Sequence, residues 1–172
     1  IIKAFERPKA LQRLVASLKR FYPSMKIIVA DDSLQEPTPP PGVDFLRLKP
    51  DTGASEGRNQ LLKRVDTEFF WQLDDDFELT AATEFEKLAL PVSRRDADIV
   101  GGDCIRCKRK WFGWIRHRPS PFYGRIECSG GELRLLAGEH RRQGDYLECD
   151  IIPQFFVART SAIIEMGGWA SE

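Results

Sequence analysis

No stretch of the 172-residue chain approaches the run of about 18 apolar residues that a membrane-crossing helix needs, and the first residues lack the pattern of a secretory signal. Charge of one sign is also missing. Lys and Arg total 26 against 26 Asp and Glu, so no global field favours nucleic acid or an anionic membrane, and an ionic partner must be met locally. Cysteine is sparse: only Cys104 and Cys107 form a C-x-x-C, and Cys128 and Cys149 do not supply the second close pair of a zinc ribbon. Plain thiols or a disulfide of an oxidising compartment are therefore expected rather than structural zinc. Neither G-x-G-x-x-G nor G-x-x-x-x-G-K-[ST] occurs, which removes support for a dinucleotide fold and for a P-loop. The two histidines, His117 and His140, have no ligand spacing.

What is present suits one ordinary globular domain, with 42% apolar residues. The opening IIKAF reads as the middle of a strand and the closing GGWASE as the middle of a loop, so a fragment of a longer chain is expected. Pro8 stands at a helix start, and Leu11, Leu14, Val15, Leu18 and Phe21 recur on one helical face as far as Pro23. KIIVADDS is a strand ending in Asp31 and Asp32. Beyond a proline-rich linker, VDFLRL reads as a strand, SEGRNQLLKRV as a helix and EFFWQL as a strand buried on both faces. Thr80, with Thr83 and Glu86 spaced as a capping box, predicts a helix running toward Pro91. ADIVGGD is one more strand, and residues 104–146 read as hairpins and loops. YLECDIIPQFFVART restores a strand, and SAIIEMGGW reads as a short helix closed by Gly167. Alternating strands and helices predict an α/β fold with a mostly parallel sheet flanked by helices.

Three consecutive carboxylates, Asp74, Asp75 and Asp76, end the EFFWQL strand, and adjacent carboxylates repel unless a cation or many donors offset them. Sites in parallel sheets lie at the carboxyl ends of the strands, so this cluster and Asp31–Asp32 are expected to face one crevice. A D-x-D pair there can direct oxygens to Mg²⁺ or Mn²⁺, with diphosphate oxygens completing the coordination. An EF-hand loop starting at Asp74 fails, because its sixth and twelfth positions are Leu79 and Phe85. A haloacid-dehalogenase-like phosphatase fits poorly, since Glu78 stands where a small hydroxyl residue is usual. An acidic turn is the bland alternative.

The ordered set IIKAFERPKALQRLVASLKRFYP, IVADDS, GRNQLL, WQLDDDFELT, IVGG and QFFVART resembles the GT-A glycosyltransferases over nearly the whole chain. It is most similar to the β-1,4-N-acetylgalactosaminyltransferases of the GM2/GD2 synthase type and to family-2 glycosyltransferases. The resemblance implies a Rossmann-like GT-A fold, with residues 1–80 as the nucleotide-binding part and 81–172 on the acceptor side. It implies a metal-dependent inverting transfer of a sugar, N-acetylgalactosamine first among the candidates, from a UDP-sugar to a glycan or glycolipid hydroxyl. Mn²⁺ or Mg²⁺ is the implied cofactor, and no nucleic-acid partner is implied.

Carried over by position, the resemblance places Asp31 and Asp32 at the base and ribose, Gly57, Arg58 and Asn59 at the nucleotide, Asp74 near the ribose and metal, Asp75 near the donor, and Asp76 on the metal. Gln154 stands where relatives usually have Asn, a change that bears on sugar recognition. Inverting transfer needs a carboxylate to take the acceptor proton. In relatives it follows a Gly-Gly-Trp-like stretch within an acidic, His-containing motif, which would lie just past Glu172. No base is assigned; Asp150 and Glu172 have no motif behind them. Trp111 and Trp114, amid basic residues, are acceptor candidates because Trp faces stack on sugar rings; their helical spacing equally suits a core. Animal members of the family are Golgi enzymes with an N-terminal anchor, so a lumenal Golgi location with the anchor before Ile1 is implied. Two other readings stay open: a polysaccharide-building family-2 enzyme, and a non-catalytic nucleotide-sugar or glycan-binding module.

Overall fold

The computed structural model describes residues 1–109, 115–120, 122–138 and 140–170. Along the chain come β1 (Ile2–Ala4), α1 (Pro8–Phe21), β2 (Ile28–Asp31), β3 (Asp44–Arg47), α2 (Ala54–Leu62), β4 (Phe69–Asp74), α3 (Phe85–Ser93) and β5 (Ile99–Gly101). Three hairpins follow: β6 (Ile105–Arg109) with β7 (Ile115–Pro119), β8 (Gly124–Ser129) with β9 (Glu132–Ala137), and β10 (Arg141–Gln143) with β11 (Tyr146–Glu148). The last elements are β12 (Phe155–Arg159) and α4 (Thr160–Glu165). The chain forms two compact units, residues 1–100 with 157–172 and residues 101–156, so the final strand and helix return to the first unit.

Six strands make the main sheet in the order β3-β2-β1-β4-β12-β5. β1 is parallel to both β2 and β4, and β2 is parallel to β3. β12 runs the other way. The Gly102 amide donates to Phe155 O at one end and the Arg159 amide to Asp98 O at the other, both at 2.9 Å, which is an antiparallel register against β5. The Thr160 amide likewise meets Glu68 O at the start of β4. The sheet is thus mostly parallel, as the alternation of strands and helices predicts.

Helix α1 buries Leu11, Leu14, Val15 and Leu18, the face that the periodicity marks, and Pro8 occupies its first turn. On α2, Leu61 packs with Ile28 and Ala30 of β2, and Leu46 and Leu48 border that cluster. The expected helix from Thr80 is corrected: residues 80–83 form a turn, with the Thr83 amide on Thr80 O and the Thr80 amide on Thr83 Oγ1, and α3 begins at Phe85. The reason is tertiary. The Phe85 ring stacks between Tyr22 and Trp71, with centroids 4.4 and 3.9 Å away, and its amide donates to the Tyr22 hydroxyl at 3.0 Å. That hydroxyl donates onward to Thr83 O at 2.9 Å, while Thr80 Oγ1 accepts the Ala82 amide at 3.2 Å, so the local capping contacts close a turn and the helix starts beyond it. The strand signal across YLECDIIPQFFVART resolves into two strands, β11 and β12, with Ile151 between them making an isolated bridge to Gly124.

Phe85 is 3% exposed within this three-ring stack. Phe85→Ala is expected to destabilise the fold by about 3–5 kcal/mol, the usual range for deleting a buried Phe side chain, measured as a lower urea midpoint with unchanged slope. A loss under about 1 kcal/mol would mean that the stack does not fix the start of α3.

Candidate functional site

Register decides where the acidic residues meet. Ala4 pairs with Asp31, and Lys3 pairs with Ala30 on one side and Asp74 on the other. The carboxyl ends of β2 and β4 therefore flank the end of β1, and both aspartate clusters stand on one edge of the sheet, as sites in parallel sheets do.

The two clusters differ in exposure. Asp31 and Asp32 are 3% and 1% exposed. Asp32 accepts from Lys3 Nζ on one oxygen and from the Gly53 amide, at 2.8 Å, on the other. Gly53 has φ 89°, a conformation open to glycine, and it leads directly into α2. Asp31 accepts from the Ser33 amide at 2.7 Å, while Arg47 donates to Asp31 O at 3.1 Å and to Ser33 O at 2.7 Å. These carboxylates hold the loops at Ser33 and Gly53 that border the edge.

Asp74, Asp75 and Asp76 share two arginines. Arg58 meets Asp74 at 3.1 Å, and Arg7 bridges Asp75 at 3.2 Å and Asp76 at 3.0 Å. Asp75 is buried and also accepts the Phe5 amide at 3.3 Å. Burial pushes the Asp74 and Asp75 carboxyls above the usual range, and Asp76 pushes both further. Arg58 draws Asp74 back, while the Phe5 amide and Arg7 draw Asp75 back without cancelling the burial. More positive charge at this edge would favour the ionised cluster.

A divalent cation fits the donor set. Mg²⁺ and Mn²⁺ are commonly held by one or two carboxylates with phosphate oxygens rather than by an all-protein cage. Asp76 and Asp74 offer hard oxygens with side chains 56% and 39% exposed. Among the described residues no group of three or more His, Cys, Asp or Glu is placed to hold a metal ion. The four cysteines are free thiols in the structure.

Arg58 carries the clearest sign of an unfilled role: its Nε is buried and has no hydrogen-bond partner among the described residues. Its neighbour Asn59 is engaged with the Trp169 backbone through both polar atoms, with one N–H and one lone pair left over. In the other unit, Gln154 Oε1 is buried without a partner among the described residues, and Asp150 accepts the Ile126 amide at 2.8 Å. Trp111, Trp114 and Glu172 lie outside the described residues.

Sequence reasoning missed Lys3 and Arg7. A lysine inside an apolar strand was a usable signal, because a buried ammonium needs a carboxylate partner. Arg7 gave none, since Asp75 and Asp76 lie 68 and 69 residues away.

Residues 1–167 match the family model described as glycosyl transferase family 2. The chain is 34% identical to beta-1,4 N-acetylgalactosaminyltransferase 1 of Rattus norvegicus and 32% identical to that of Homo sapiens, over 96% of the chain in each case. It spans 31% of the length of those relatives. Among solved structures, that of S. aureus TarS 1-349 superposes with a TM-score of 0.57 at 13% identity, covering 99% of this chain and 49% of that one. The likeness fits the GT-A fold expected from the ordered motifs.

The Lys3 and Asp32 side chains are 7% and 2% exposed. Removing one partner of a buried ion pair strands the other charge, so Lys3→Met is expected to cost about 3–5 kcal/mol in chemical denaturation. The double variant Lys3→Met/Asp32→Asn should recover much of that loss. If it is no more stable than Lys3→Met, the pair is not what holds the edge.

Proposed function

The chain belongs to glycosyl transferase family 2, and on that footing we propose that it moves a sugar from a UDP donor to a carbohydrate hydroxyl in a metal-dependent, inverting displacement. The observation that carries the donor reading is Arg58. One guanidinium nitrogen braces Asp74 while the buried Nε lacks an acceptor among the described residues. An unpaired buried N–H costs free energy that a phosphate or ribose oxygen would relieve, with a charge-assisted bond in its place.

In this reading Asp31 and Asp32 shape the base and ribose end through the Ser33 and Gly53 loops that they anchor. Asp74 lies toward the ribose, and Asp75 keeps Arg7 over the cluster. Asp76, with Asp74, would hold Mn²⁺ or Mg²⁺, which when bound neutralises the diphosphate as the sugar departs. Arg7 and Arg58 add fixed positive charge where the leaving group becomes more anionic. Gln154 is the acceptor-side candidate among the described residues, and Trp111 and Trp114 complete that proposal. The acceptor must lose a proton as its oxygen attacks, and none of the carboxylates at this edge is assigned that step.

The named relatives make N-acetylgalactosamine the first donor sugar to test and a glycan or glycolipid the acceptor class. The same reading implies a lumenal Golgi location. Among the described residues no helix is long and apolar enough to cross a membrane.

Calorimetric titration of UDP into the chain should show binding that requires Mn²⁺ and disappears with excess chelator. In a folded Asp76→Ala variant the metal-dependent affinity is expected to fall about tenfold or more, since one of few protein ligands to the ion is gone. Undiminished affinity in that variant would overturn the metal assignment. Absence of UDP binding by the folded wild type would overturn the donor reading. Saturation-transfer NMR with a panel of UDP-sugars then tests the choice of N-acetylgalactosamine.

A further inference from the structure

Arg58 and Asn59 are consecutive on α2, so their side chains leave the helix about 100° apart. Arg58 reaches the end of β4 at Asp74. Asn59 reaches the turn after α4, where Nδ2 donates to Trp169 O at 2.8 Å and Oδ1 accepts from the Trp169 amide at 2.9 Å. The side-chain amide thus closes on one backbone residue 110 positions away, and the donor-acceptor complementarity fixes which way it faces.

The turn is built for this approach. Gly167 and Gly168 donate to Ile164 O and Ile163 O at 3.0 and 2.9 Å, ending α4 in left-handed backbone. Gly168 has φ 76°, and a Cβ there would overlap Asn59 Oδ1, so both the backbone and the close contact call for glycine. The Trp169 ring then packs edge-on against Phe70 of β4, centroids 6.4 Å apart.

We infer that Asn59 is a positioning residue that latches the Gly168–Trp169 turn to α2, coupling the order of that turn to occupancy of the anion-facing Arg58 on the same helix. The coupling rests on the donor reading above; the latch itself does not. An oxygen ligand on Arg58 Nε restrains α2, and α2 restrains Trp169 through two hydrogen bonds. By linkage, whatever factor the donor contributes to ordering the turn, loosening the turn removes from donor affinity.

The test is amide hydrogen exchange at Trp169 by NMR, with and without UDP and Mn²⁺, in wild type, Asn59→Ala and Asn59→Asp. Without ligand, Asn59→Ala should speed exchange of this amide about two- to tenfold, the effect of losing one net hydrogen bond. Asn59→Asp keeps the acceptor for that N–H but not the donor for Trp169 O, and should fall between the two. UDP with Mn²⁺ should slow exchange in wild type and leave Asn59→Ala unchanged.

Equal exchange in wild type and Asn59→Ala overturns the latch, and equal slowing by UDP in both overturns the coupling. If calorimetry finds no UDP binding, the donor reading fails and the coupling with it, while the ligand-free comparison still decides the latch. Should Asn59→Ala not fold, Gly168→Ala strikes the same contact from the other side. It is expected to speed Trp169 exchange, and an unchanged rate there overturns the latch.

Discussion

The parallel register of β1 with its two neighbours is the constraint on which the site depends. β1 has three residues, and its pairing sets Ala4 against Asp31 and Lys3 against Asp74. Side chains alternate between the faces of a strand, so a slip of one residue would turn Lys3 away from Asp32 and leave a buried carboxylate uncompensated. The ion pair and the hydrophobic pattern therefore select the same register. Buried Ile2 and Ala4 point one way along β1, and Lys3 between them points the other.

From that register follows a division of labour among five aspartates. Asp31 and Asp32 are buried, their carboxylates held by the Ser33 and Gly53 amides and by Lys3, with Arg47 3.8 Å from the Asp31 carboxylate. Asp74 and Asp76 are partly open and face arginines that are themselves not saturated: among the described residues Arg58 Nε has no partner, and Arg7 is more than half exposed. Crowding three carboxylates at a strand end would be unfavourable in a protein needing only stability, because burial and mutual repulsion both oppose ionisation. An edge that tolerates this while leaving oxygens accessible is suited to a ligand that brings its own positive charge, and a metal-bound diphosphate is such a ligand.

Much of the scaffold was legible because its causes are local. The apolar face of α1, the strand ahead of each aspartate cluster and the hairpins after Cys104 follow from periodicity, glycine pairs and proline. What was not legible depended on partners far along the chain. The capping-box signal at Thr80 is real as local chemistry, yet the Phe85 ring between Tyr22 and Trp71 moves the helix start downstream. Lys3 and Arg7 acquire meaning only when Asp32, Asp75 and Asp76 come to them across 29, 68 and 69 positions.

The GRN stretch shows how one local segment can meet two partners far along the chain. Read linearly, Arg58 and Asn59 form a single nucleotide-binding signal. On a helix of about 3.6 residues per turn their side chains diverge, and Arg58 meets Asp74 while Asn59 meets the Trp169 backbone. The amide of Asn59 matches a backbone N–H and C=O pair, whereas the guanidinium of Arg58 can only donate, here to the Asp74 carboxylate. Exchanging the two residues would therefore fail on both sides: an amide cannot balance the charge of Asp74, and a guanidinium offers no acceptor to the Trp169 amide. The order Arg-Asn is thus fixed by the chemistry of two different partners and by the rotation of the helix between them.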